Sequence, residues 1–78
     1  MKTDIILLGT EGCHLCELAY RVIHQAGLSG RTRIEDIVER SEWLERYQDK
    51  IPVIILGERD LCWPFNVEEL QDWLNRAA

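Results

Sequence analysis

Basic residues are scarce in this 78-residue chain: nine Lys and Arg stand against 14 Asp and Glu, a formal net charge of −5. A general nucleic-acid binder needs clustered cations for phosphate contacts, and the only local excess, Arg31 with Arg33, is too thin for a patch. Nucleic acid is therefore excluded as an expected partner. Long apolar runs are missing too. Ile5–Leu8 is too short for a secretory h-region, and no segment approaches the ~18 apolar residues that cross a bilayer. A membrane partner is not expected. Cysteines number three, an odd count, and Cys13 and Cys16 stand too close in sequence to staple distant parts of a fold. That excludes a secreted disulfide framework and favours a reducing, cytoplasmic setting. Repeats, low-complexity tracts and Pro- or Ser-rich linkers are absent. What remains is a single domain over residues 1–78 with ordinary globular proportions, 46% hydrophobic and 29% charged, near the lower size at which one core suffices.

The apolar pattern gives the element order. Asp4–Gly9 is a short continuous apolar run closed by Gly, the pattern of a strand covered on both faces. Leu15, Leu18, Ala19, Val22, Ile23 and Ala26 then recur at steps of three and four, predicting an amphipathic helix that Gly27 ends. Glu17 and Arg21 form an i,i+4 pair on its outer face. Residues 31–38 suit a strand through Thr32, Ile34 and Val38, although Asp36 breaks the alternation. Ser41 can cap a short helix that carries Leu44 and Tyr47 inward. Ile51–Leu56 reads as a strand, Gly57–Asp60 as a turn, and Leu61–Cys62 as its short antiparallel partner. Asn66 with Glu69 resembles a capping box for a last helix bearing Leu70, Trp73 and Leu74. The order β-α-β-α-β-β-α predicts an α/β sandwich around a four-stranded mixed sheet, with a parallel βαβ start and the first strand central. Pro52 has no N–H, so it belongs at the start of its strand or where pairing is interrupted.

The chemistry-bearing segment is Gly12-Cys13-His14-Leu15-Cys16, where the first strand gives way to the first helix. Thiol exchange needs a thiolate, and a free Cys with pKa ~8.5 supplies little of it at neutral pH. A helix N-terminus offers unpaired N–H groups and the positive end of the macrodipole, both favouring Cys13 as an anion. Residues i and i+3 of a first turn bring Cβ atoms to about 5–6 Å, close to disulfide reach. Cys13 is thus the candidate attacking thiol and Cys16 the candidate resolving thiol, with Cys16 expected deeper because it projects beside Ala19 and Ile23. Two bland alternatives stay open. The cysteines can simply pack as reduced side chains, or serve a structural zinc site, which would need two more ligands from Cys62, His14 and His24. His14 admits two roles, a cation that favours the Cys13 thiolate or a polar residue on an exposed turn. Cys62 is expected to pack as a small hydrophobe, and Arg46 and Lys50 to be solvated surface charge.

With G-C-H-L-C opening the first helix and I-P-V before an apolar strand, essentially the whole chain resembles the glutaredoxin branch of the thioredoxin-like superfamily. It is similar in particular to short bacterial glutaredoxin-like proteins that carry C-H-L-C and a W-P-F-[DN] segment, here Trp63-Pro64-Phe65-Asn66. The resemblance implies a thioredoxin-like, glutaredoxin-type fold and a thiol–disulfide oxidoreductase working through Cys13 and Cys16. It implies a cis Pro52 lying against the cysteine pair, with the Ile51 backbone pairing with substrate. Gly12, His14, Ile51, Pro52 and Trp63 are then the substrate-binding candidates. Trp63 and Phe65 can serve as an apolar platform for a polypeptide or as caps on a small core. The platform role has a counterpart without redox turnover, a module that docks a partner through the Trp63-Pro64-Phe65 loop. The chain departs from true glutaredoxins in two places. It lacks both glycines of the G-G-x-D segment that holds glutathione, and it carries Thr10-Glu11 where a basic residue is usual. A carboxylate there repels the carboxylates of glutathione. The expected partners are a disulfide-bearing protein or small molecule and a reductase donor. No bound cofactor or metal is expected, glutathione enters only as a reductant, and the chain is expected to act as a monomer.

Overall fold

Ile5, Leu7 and Leu8 leave almost no surface to water, which places the first strand in the middle of the molecule. The computed structural model describes residues 3–76. Its elements are β1 (Ile5–Gly9), α1 (His14–Gln25), β2 (Thr32–Asp36), α2 (Ser41–Tyr47), β3 (Val53–Leu56), β4 (Arg59–Cys62) and α3 (Val67–Asn75), with 3₁₀ turns at Ser29–Arg31 and Ile37–Glu39. The strands form one sheet in the order β2-β1-β3-β4. β1 runs parallel to β2 and antiparallel to β3, and β3 and β4 form a hairpin. This is the α/β architecture with a four-stranded mixed sheet expected from the element order.

Alternation along the strands divides the core between the two sheet faces. Leu7 and Ile54 pack with Ala19 and Ile23 of α1 and with Leu70 of α3. Leu8 and Val53 point the other way, into a smaller cluster with Ile37 and Tyr47. Helices α1 and α3 therefore cover one face and α2 the other.

Local signals account for most element ends. Gly27 has φ 76°, and its N–H donates to the His24 carbonyl while that of Leu28 donates to Ile23, each at 3.0 Å. These two bonds are the Schellman closure that a left-handed glycine permits. At α3 the Asn66 side chain accepts the Glu69 N–H at 2.8 Å, and the Glu69 carboxylate accepts the Asn66 N–H at 3.0 Å, the expected capping box. Arg59 donates to the Trp73 carbonyl at 3.1 Å and lies over the Trp73 ring at 4.8 Å. It thereby satisfies a carbonyl in the last turn of α3 and ties β4 to that helix.

Several expectations are corrected. Leu15 in the first turn of α1 is 46% exposed, whereas Ala19 and Ile23 further along the helix are buried. Glu17 faces His14 at 3.8 Å rather than Arg21. The strand at residues 31–38 is shorter. The Asp36 side chain accepts the Val38 N–H at 3.1 Å, bending the chain into the turn that buries Ile37 and leaves Val38 exposed, while Ile34 is exposed within β2 itself. Arg40, not Ser41, occupies the N-cap of α2, and no side chain caps it. Trp43 and Tyr47, four residues apart, share the inward face of α2, so Leu44 turns outward. β3 begins at Val53, one residue after the proline that cannot donate to the ladder.

Candidate active site

The site grows from the C-terminal end of β1. After Gly9 the chain turns through Gly12, whose φ of 78° is one that L side chains rarely adopt. The Cys13 N–H donates to the Thr10 carbonyl at 3.3 Å, closing the turn. Cys13 is then the N-cap of α1, in extended conformation, and its Sγ accepts the Cys16 N–H at 3.2 Å. A sulfur here replaces the oxygen that usually satisfies an orphan N–H of the first turn. Cys13 and Cys16 are joined as a disulfide, with Cα atoms 5.3 Å apart. Both residues are half-buried, so depth alone does not separate them. Contact does: the Cys16 Sγ rests on Gly9, where an added Cβ would lie only 2.7 Å from it.

Sheet register assembles the rest of the site from distant sequence. Gly9 pairs with Asp36 across the parallel ladder. On the other side Leu8 pairs with Val53 and Val53 with Cys62. One step further along each strand brings Pro52 beside Gly9 and Trp63 beside Pro52. The Trp63 N–H donates to the Pro52 carbonyl at 3.0 Å, which fixes that end of the row. Asp36, Gly9, Pro52 and Trp63 thus lie in one line across the sheet, with Gly9 of that row in contact with the Cys16 sulfur. The Ile51–Pro52 bond is cis, as the resemblance implied, and the Trp63–Pro64 bond is cis as well. Pro52 is fully buried.

The remaining candidates are placed unevenly. The Ile51 N–H donates to the Tyr47 carbonyl at 3.2 Å and is not free for a substrate. Phe65 is buried at the centre of the larger core cluster, and Trp63 packs half-buried on its edge. The two rings meet edge to face with centroids 5.0 Å apart. Phe65 is thus a core residue, and only Trp63 retains a surface near Pro52. The His14 side chain is 79% exposed and turned toward Glu17. Cys62 is a half-buried free thiol packed against the smaller cluster. Among the described residues, no group of three or more His, Cys, Asp or Glu is arranged to hold a metal ion.

Sequence reasoning missed the cleft on the other side of the cysteines. A cavity of about 940 Å³ opens between α1 and β2, with Cys13 and Cys16 in its wall, Tyr20 and Arg21 from the helix, and Ile34, Glu35 and Asp36 from the strand. The available signal was positional. Ligand sites in α/β sheets lie beyond the carboxyl ends of parallel strands, and Glu35-Asp36 closes β2 just as Gly9 closes β1.

The family model described as Glutaredoxin-like domain (DUF836) matches residues 4–75. The chain belongs to this glutaredoxin-like family. Two solved structures of Northeast Structural Genomics target protein XcR50 from X. campestris are similar to it, each at 29% sequence identity. The X-ray structure covers 95% of this chain and 99% of its own, with a TM-score of 0.83. The solution structure covers 96% of each chain, with a TM-score of 0.80. No curated protein matches the chain. In this glutaredoxin-like domain the cysteine pair stands at the start of α1. No helix among the described residues is long and apolar enough to cross a membrane.

Proposed function

We propose that this glutaredoxin-like domain is a thiol–disulfide oxidoreductase in which Cys13 attacks and Cys16 resolves. The observation that carries the proposal is the Cys13 sulfur itself, which caps α1, accepts the Cys16 N–H and is already bonded to Cys16. In the dithiol form the same N–H and the helix dipole stabilise negative charge on Cys13. The Cys13 thiolate attacks one sulfur of a substrate disulfide, forming a mixed disulfide and expelling the other sulfur as a thiolate. Cys16 then loses its proton and attacks the Cys13 sulfur, closing the Cys13–Cys16 disulfide and expelling the second substrate thiolate. The substrate gains two electrons and the protein gives up two. A dithiol reductase or glutathione restores the starting form by the reverse exchanges.

Gly12 shapes the turn that presents Cys13, Pro52 stands beside Gly9, on which the Cys16 sulfur rests, and Trp63 offers an apolar surface next to Pro52. His14 is a solvent-facing neighbour of the attacking sulfur. The burial of Phe65 weighs against a docking module built on the Trp63-Pro64-Phe65 loop without redox turnover. The test is reduction of a peptide disulfide by the reduced protein, followed by mass spectrometry. Cys16→Ser should trap a mixed disulfide at Cys13, and Cys13→Ser should give neither product nor adduct. Full activity in Cys13→Ser would contradict the assignment.

A further inference from the structure

The cleft beside the disulfide has a charge imbalance that bears on what can enter it. Glu11, Glu17, Glu35 and Asp36 line it, against a single always-charged cation, Arg21. Partial compensation does not reverse the sign. Arg33 approaches Glu35 at 3.5 Å and His14 approaches Glu17 at 3.8 Å, and both contacts are solvent-exposed and weak. Glu11 has no ion-pair partner among the described residues. The floor is apolar: Ile34 is 59% exposed and Tyr20 37% exposed, both facing the cleft. The volume stands at the top of the range that small ligands fill, ~300–1,000 Å³. The β2 wall is the edge of the sheet, where backbone groups remain for an extended chain to pair with.

Resting on the exchange function above, we infer that the α1–β2 cleft selects disulfides carried on basic polypeptide segments and disfavours anionic ones such as glutathione disulfide. Lys or Arg flanking the substrate cysteine meets the carboxylates of Glu11, Glu17, Glu35 and Asp36, while a neighbouring apolar side chain covers Ile34 and Tyr20. The carboxylates of glutathione disulfide meet charge of their own sign. Selection of this kind acts on encounter and is screened by salt.

The test is single-turnover oxidation of the reduced protein, read by alkylation and mass shift. The probes are three peptide disulfides of one length whose cysteine is flanked by Lys, Gln or Glu, together with glutathione disulfide. At low ionic strength the Lys peptide should react about tenfold faster than the Glu peptide, with the Gln peptide between them and glutathione disulfide near the Glu peptide. The ratio should shrink to about threefold or less in 0.5 M salt. The double variant Glu11→Lys/Glu17→Lys should abolish or invert the preference. Asp72→Lys, the same change of charge on α3 and outside the cleft lining, should preserve it. Equal rates for the three peptides, or an undiminished preference in the double variant, would overturn the charge selection alone. Failure of the uncharged Gln peptide to react would overturn the exchange function and this inference together.

Discussion

Gly9 has no left-handed torsion to explain it, so the reason for a glycine there is space. The Cys16 sulfur occupies the volume that a side chain would need. Gly→Ala replacement ordinarily stabilises by about 0.4–1 kcal/mol through the unfolded chain, whereas overpacking a filled interior costs about 1–3 kcal/mol. The second effect is larger, so Gly9→Ala should destabilise the oxidised protein in a denaturant melt. A gain in stability would mean that the Cys16 sulfur does not rest on Gly9. Tyr47 offers a residue-scale test elsewhere. Its hydroxyl donates to Asp60 at 2.8 Å, and burial, followed by that hydrogen bond, raises its pKa above the ordinary value of 10.0. Protonated Tyr47 is thus favoured in the folded state. Its contribution is complete below pH ~10 and is lost as pH rises through the folded value. Tyr47→Phe should cost about 1 kcal/mol at neutral pH, and the gap to wild type should narrow in melts above pH ~10. A gap constant across that range would contradict the assignment.

At the scale of elements, the two long helices begin in different ways. α3 uses a reciprocal oxygen cap, so Asn66→Ala should lower stability by about 0.5–2 kcal/mol in a thermal or denaturant melt, and an unchanged midpoint would remove the cap from the account. α1 begins on a sulfur, the same atom proposed to do the chemistry. The caps at Asn66 and Gly27 were legible in the sequence because their partners lie within four residues. Ser41 misled for the opposite reason. Burial of Ile37 sets the turn before α2, and that turn places Arg40 at the N-cap. Leu15 and Leu44 were assigned inward on periodicity, but periodicity does not show where the sheet ends or which of two neighbouring apolar residues faces it. Trp43, one residue before Leu44, takes the inward place.

At the scale of the whole molecule, the cysteine pair and the proline were legible in the residues, whereas their juxtaposition was implied only by the family resemblance. Cys13 and Cys16 declare themselves by spacing, and Pro52 by its place before an apolar strand. The row from Asp36 through Gly9 and Pro52 to Trp63 depends on register across three strand pairings, a property of no local segment. The acidic cleft likewise exists only once α1 and β2 face each other, which is why Ile34 read as an ordinary strand residue and nothing singled out Tyr20. The fold lines up four separated segments by register, with Gly9 of that row against the Cys16 sulfur, and exchange at the cysteine pair is the central claim. It is tested most directly by titrating the Cys13–Cys16 couple against a thiol buffer of known potential, with alkylation of Cys13 followed as a function of pH. The account predicts one reversible two-electron transition, with a potential between about −270 and −120 mV, and a Cys13 thiol that ionises below ~8.5. Two thiols that titrate independently, each as a free cysteine would, would contradict it.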